Sequence, residues 1–124
     1  MDKIEVHLDS DGIMNVEYPL HAGVTFDNVV KEYEDRLEIT KEKTPLLVKI
    51  HGVSAFDAEA RKFLCGTQHS AITSAAAIVS DSSSGYQEYS SMLLELFKGI
   101  DKPPFDCKVF ESEEDALNWL RGYL

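Results

Sequence analysis

Catalysis in a small chain needs a nucleophile beside a base, or metal ligands brought to one place. The side chains here that suit such work are His51, Ser54, Asp57, Ser80, Asp81 and Ser82. They sit just after apolar runs that read as parallel strands, and sites in such sheets form at the carboxyl ends of the strands. A serine hydrolase or a metal site is the chemistry these residue types would support. Neither pattern is complete. A nucleophile elbow requires Gly-x-Ser-x-Gly on a strand-to-helix turn, and Ser80-Asp81-Ser82-Ser83-Ser84-Gly85 lacks the leading glycine. Around His51, Asp57 and Asp81, no Asp-x-Asp, His-x-His or His-x-x-x-His spacing presents two ligands from one element. We therefore expect no catalytic residue, no metal and no cofactor. His51, Ser54, Asp57, Asp81 and Ser84 are read instead as a candidate interaction loop and helix starts.

The remaining polar residues carry simpler readings. Free amides near Ser84 and Gly85 could hold an anion at a helix N-terminus, but a loop-and-cap role explains the same residues. His7 and His21 read as surface residues of a hairpin, and His69 has no partner that the sequence names. Glu32-Tyr33-Glu34-Asp35 and Glu113-Glu114-Asp115 read as solvated faces, the second also favourable to a helix start. The twelve-residue calcium loop with its central glycine is not present.

The elements that must position these residues follow from periodicity. Ile4, Val6 and Leu8 alternate with polar neighbours, Asp11-Gly12 makes a tight turn, and Met14, Val16 and Tyr18 return as the second strand of a hairpin. Thr25 can cap a first helix with Phe26, Val29, Val30, Tyr33 and Leu37 at helical spacing. Pro45 opens the buried strand Leu46 to Ile50. A second helix is expected from Phe56 to Leu64, with Ser54 and Asp57 at capping-box spacing. Ile72 to Val79 reads as a strand buried on both faces, its alanines letting helices approach closely. Ser84 with Gln87 suggests a capping box for a third helix through Phe97. Phe105, Cys107 and Val109 alternate as a last strand, and Ser112 with Asp115 caps a final helix carrying Leu117, Leu120 and Leu124. This order implies an α/β fold over residues 1–124: one domain with a single mixed, mainly parallel sheet, an N-terminal hairpin, then alternating helices and strands.

Composition agrees with one ordinary globular domain. The 124 residues are 44% hydrophobic and 27% charged, and a chain of this length buries roughly two-thirds of its unfolded surface. Cys65 and Cys107 have neither Cys-x-x-Cys spacing nor paired histidines nearby, so both read as small buried hydrophobes. The first residues lack a basic-then-apolar leader, and no apolar run approaches the ~20 residues of a membrane span, so a cytoplasmic location is expected. Twelve bases against twenty-two acids leave a net charge of −10, which disfavours nucleic acid and anionic lipid surfaces. Residues 1–44 carry 11 acids and 5 bases, residues 45–110 carry 7 and 6, and residues 111–124 carry 4 and 1.

The stretch from Leu47 to Ala60, Leu-Val-Lys-Ile-His-Gly-Val-Ser-Ala-Phe-Asp-Ala-Glu-Ala, resembles the signature region of STAS domains, the sporulation anti-sigma-factor antagonist type. Glu59 to Phe63 and Val109 to Leu120 are similar to a small group of uncharacterised bacterial proteins of the SpoIIAA-like superfamily, labelled STAS/SEC14-like. The resemblance implies the STAS/SpoIIAA-like fold and a binding or regulatory role. Of the antagonists' Asp-Ser-Ser-Gly motif only Asp57 matches: the serine that accepts phosphate falls on Ala58, and the next two positions on Glu59 and Ala60. The phosphoswitch does not carry over.

The third helix adds one expectation. Tyr86, Tyr89, Leu93, Leu96, Phe97 and Ile100 form an apolar stripe, and Met92 and Leu94 widen it on opposite flanks to roughly 200°. Either neighbouring helices cover those flanks or a second copy does, so Met92 and Leu94 are candidate interface residues of a homodimer. The sequence thus points to a non-enzymatic STAS-like module that binds a protein partner or itself, with a carrier of a small apolar or lipid-like ligand as the alternative.

Overall fold

The fold is described from a computed structural model over residues 3–20, 22–51, 56–99 and 102–124, with residues 96 and 97 described by their backbone alone. The hairpin strands β1 (Glu5–Leu8) and β2 (Met14–Glu17) pair antiparallel, Val6 opposite Val16 and Leu8 opposite Met14. Gly12 makes the turn with φ of 90°, a conformation that side chains with a Cβ rarely adopt. Asp9 braces it by accepting from the Asp11 and Ile13 amides through Oδ1 and from Asn15 Nδ2 through Oδ2.

The chain then continues as α1 (Phe26–Ile39), β3 (Thr44–Ile50), α2 (Ala58–Leu64), a short α3 (Thr67–Ser70), β4 (Thr73–Ser80), α4 (Ser83–Lys98), β5 (Asp106–Phe110) and α5 (Glu113–Arg121). The five strands lie in chain order, and every pair after the first is parallel. Successive crossovers of one hand deliver their helices to the same face of such a sheet. Val29 of α1, Ala60 of α2, and Tyr89 and Leu93 of α4 accordingly pack on the face that carries Val16, Leu46, Ala76 and Val109. Among the described helices only α5, which follows the last strand, covers the opposite face, burying Ala116 and Leu120 against Leu47, Ala75, Ala77 and Val79. The α/β class and the single mixed sheet with its N-terminal hairpin are as expected, and α3 is an element the periodicity did not indicate. Among the described residues no helix is long and apolar enough to cross a membrane.

Helix α1 does not bury the stripe its apolar residues suggest. Its fully buried positions are Val29, Glu32 and Arg36, whereas Phe26 is 43% exposed. Glu32, expected on a solvated face, is 1% exposed, and its Oε2 accepts the Tyr18 hydroxyl at 2.8 Å. Arg36 is held by donors in a fixed fork: Nη1 donates to His69 Nε2 at 3.0 Å and to Thr73 Oγ1 at 3.1 Å, and Nη2 to the Ile72 carbonyl at 2.7 Å. His69 thus has a partner, and because Arg36 can only donate, His69 Nε2 must be an acceptor. Burial first, then the Arg36 charge, push the His69 imidazole down to about 3, so it is neutral. This polar layer ties α1 to the amino-terminal ends of β3 and β4.

Candidate functional site

Alternate residues of a strand point to the same face, and this rule assembles a charged cluster at the carboxyl end of the sheet. Glu17 ends β2, and Lys49 lies directly opposite it on β3. His51 follows β3 directly, two residues on from Lys49, Asp81 follows β4, and Glu113 opens α5. Lys49 Nζ lies 3.5 Å from Glu17 Oε1 and 3.0 Å from Glu113 Oε1. His51 bridges two strand ends, with Nε2 2.8 Å from Glu17 Oε2 and Nδ1 3.1 Å from Asp81 Oδ2.

An imidazole with a carboxylate at each nitrogen is best satisfied when doubly protonated, because only the imidazolium donates from both positions. The hydrogen bond to Glu17, then that to Asp81, raise the His51 pKa above its ordinary 6.5. The same His51 contact, helped by Lys49, lowers that of Glu17. Burial pulls Lys49 down, but Glu113 and Glu17 outweigh it and the net shift is upward. With both nitrogens turned to carboxylates, His51 has no nitrogen left to activate a serine. The cluster therefore locks three strand ends and presents carboxylates: Asp81 and Glu113 are 59% and 50% exposed at their side chains.

Of the residues singled out by sequence, the structure brings His51 and Asp81 together. Asp57 is the N-cap of α2, accepting from the Ala60 amide at 2.8 Å, so it caps from its own side chain rather than as the partner of Ser54. Ser54 lies outside the described residues, as does His21. Ser84 is exposed in the first turn of α4, and the cap is Ser82, whose Oγ accepts from the Gly85 amide at 3.0 Å. Met92 is half-buried and packs against the core, whereas Leu94 is 62% exposed. Glu17, Lys49 and Glu113 were missed. Their signal was a charged residue at the end of each apolar run, readable only once the register of β2 on β3 is known. Among the described residues no group of three or more His, Cys, Asp or Glu is arranged to hold a metal ion.

The model of one protein family, described as Domain of unknown function (DUF7793), matches residues 6–124. The chain belongs to the DUF7793 family. No curated protein and no solved structure matches it. The match runs from β1 to the C-terminus, so the DUF7793 domain takes in the sheet, the helices on both faces and the whole His51 cluster.

Proposed function

We propose that this DUF7793 chain is a non-enzymatic, STAS-like module that binds a protein partner through the carboxyl end of its parallel strands. The observation that carries the reading is the double clamp on His51: its imidazole is tied to Glu17 and Asp81 and serves to fix a surface. The STAS-like part rests on the strand order and on Asp57, the matching motif residue, which caps the helix that follows the central strand. The partner is cationic in this reading. Lys49 and His51 are outnumbered by Glu17, Asp81, Glu113 and Glu111, which follows β5, with Glu114 and Asp115 exposed beside Glu113 in the first turn of α5, and complementary charge sets orientation and encounter rate.

The test is a backbone-amide NMR titration of the full chain with a Lys/Arg-rich decapeptide and with its Asp/Glu-rich counterpart. The reading expects shifts at Glu17, His51, Asp81 and Glu113 with the basic peptide only, weakened by salt and by Glu113→Gln. Shifts with neither peptide, or shifts scattered over the whole acidic surface, would overturn it.

A further inference from the structure

Between the sheet and the helices α1, α2 and α4 lies a cavity of about 50 Å³. Val48, Ala76 and Ile78 line it from the strands, and Leu64 of α2 and Met92 of α4 from the helices. Glu32 and Arg61 are the charged residues that line it. Tyr18 supplies one donor to the Glu32 carboxyl group, through Oε2, while Oε1 is buried with no hydrogen-bond partner. His69 also borders the space, but its Nε2 is already accepting from Arg36. A buried polar atom without a partner is the exception in folded proteins, and each one asks what completes it.

The walls decide among the candidates. A buried water makes roughly three hydrogen bonds, and among the described residues Glu32 Oε1 is the open acceptor here, the lining being apolar apart from Arg61 and from Tyr18 and His69, which are already hydrogen-bonded. An ammonium group would leave N–H donors unpaired there, which burial penalises heavily. A single hydroxyl fits: it donates to Oε1 when Glu32 is ionised and accepts from it when Glu32 is protonated. The volume sets the size. An engineered cavity of about 150 Å³ accommodates benzene, so a third of that space suits a molecule of a few heavy atoms.

We propose that this cavity is a binding site for a short-chain aliphatic alcohol, with its hydroxyl on Glu32 Oε1 and its alkyl group over Val48 and Ile78. The site is independent of the partner-binding surface, which lies at the strand ends. Methyl NMR of the full chain at pH 9, where Glu32 with its pKa raised to about 7 is ionised, tests it with two isomers of identical composition, 1-propanol and methoxyethane, of which only the first has an O–H to donate to the carboxylate. The expected result is saturable shifts at Val48, Ile78 and Leu64, with 1-propanol binding about tenfold more tightly, the worth of one hydrogen bond. The double variant Tyr18→Phe/Glu32→Leu removes donor and acceptor together and is expected to bind the two isomers alike. Should that variant fail to fold, the isomer comparison on the unaltered chain still decides. Equal affinity for both isomers, shifts confined to exposed methyls such as Leu94, or no shifts at all would overturn the proposal.

Discussion

Glu17 and His51 meet at 2.8 Å although 34 residues separate them, and the contact ties the end of β2 to the residue that follows β3. Its sign with pH follows from the direction of each shift. His51 has its pKa raised, so its stabilisation is complete below about 6.5 and is lost as pH rises through the folded value. Glu17 has its pKa lowered, so its share is complete above about 4.5 and is lost as pH falls through the folded value. His51→Ala should therefore destabilise by roughly 0.5–1 kcal/mol near pH 6, the groups being partly screened by solvent. The difference should vanish by pH 9. Urea melts of both chains at the two pH values check this, and a loss that persists at pH 9 would assign His51 a packing role instead.

Glu32 and His69 should oppose each other in acid. Burial raises the Glu32 carboxyl to about 7 from 4.5, so folding is favoured below 4.5 and loses that favour towards 7. His69 is depressed from 6.5 to about 3, so its unfolded form takes up a proton below 6.5 and the fold is weakened as pH falls. Between about 4.5 and 6.5 the two slopes have opposite signs and cancel. Glu32→Gln should expose the histidine slope, stability falling by up to ~1.4 kcal/mol per pH unit on acidification. His69→Asn should expose the opposite slope. Parallel stability–pH curves for the two variants would refute the cancellation.

The elements were legible in the sequence wherever one rule governed them. The hairpin followed from Asp11-Gly12 and strict alternation, the last helix from Ser112, whose Oγ does accept from the Asp115 amide at 3.3 Å. The rotation of α1 was not legible. Periodicity ranks residues by hydropathy, and it cannot see that Thr44, Thr73 and the Ile72 carbonyl wait across the core to satisfy a buried Arg36. Gln87, three residues on, points to Ser84 as the cap, yet it is Ser82, one turn back, that accepts from the Gly85 amide. At the candidate site, His51 and Asp81 could be seen as strand-end residues. Glu17 and Lys49 could not, because sequence alone does not say which strands adjoin.

On the proposed STAS-like reading, Ala58 at the start of α2 stands where the antagonists' phosphate-accepting serine would fall, and Glu59 places a carboxylate in that first turn. Incubation with serine kinases of the anti-sigma type, followed by peptide mapping, is expected to find no phosphate between residues 53 and 61. Phosphate on Ser54 would mean that the switch has moved. Asp57→Ala, in contrast, should lower stability by about 0.5–2 kcal/mol through loss of the cap to Ala60.

Among the described helices α5 alone covers the second face of the sheet, so its removal uncovers Leu47, Ala75, Ala77 and Val79. Leu120 is fully buried there, and Leu120→Ala should cost roughly 2–5 kcal/mol in a denaturant melt. Truncation after Ser112 should abolish the cooperative transition, since typical domains hold only ~5–15 kcal/mol. A truncated chain melting near the intact temperature would refute the packing of α5.

Met92 and Leu94 lie two residues apart on α4, about 200° around the helix from each other, and should behave differently. Met92 lines the internal cavity and packs on the core, so Met92→Glu places a second carboxyl group near the buried Glu32 and should destabilise by roughly 1–3 kcal/mol. Leu94 is 62% exposed, and Leu94→Asp should leave stability within about 0.5 kcal/mol of the parent. Leu94 is therefore the clean reporter for self-association through α4, the position where a charge disturbs a contact without disturbing the fold. Sedimentation at micromolar concentration decides whether such a contact exists: the homodimer reading expects a dimer that Leu94→Asp dissolves while circular dichroism stays native. A monomeric parent would end that reading, and equal destabilisation by the two substitutions would show that α4 is rotated from the placement described.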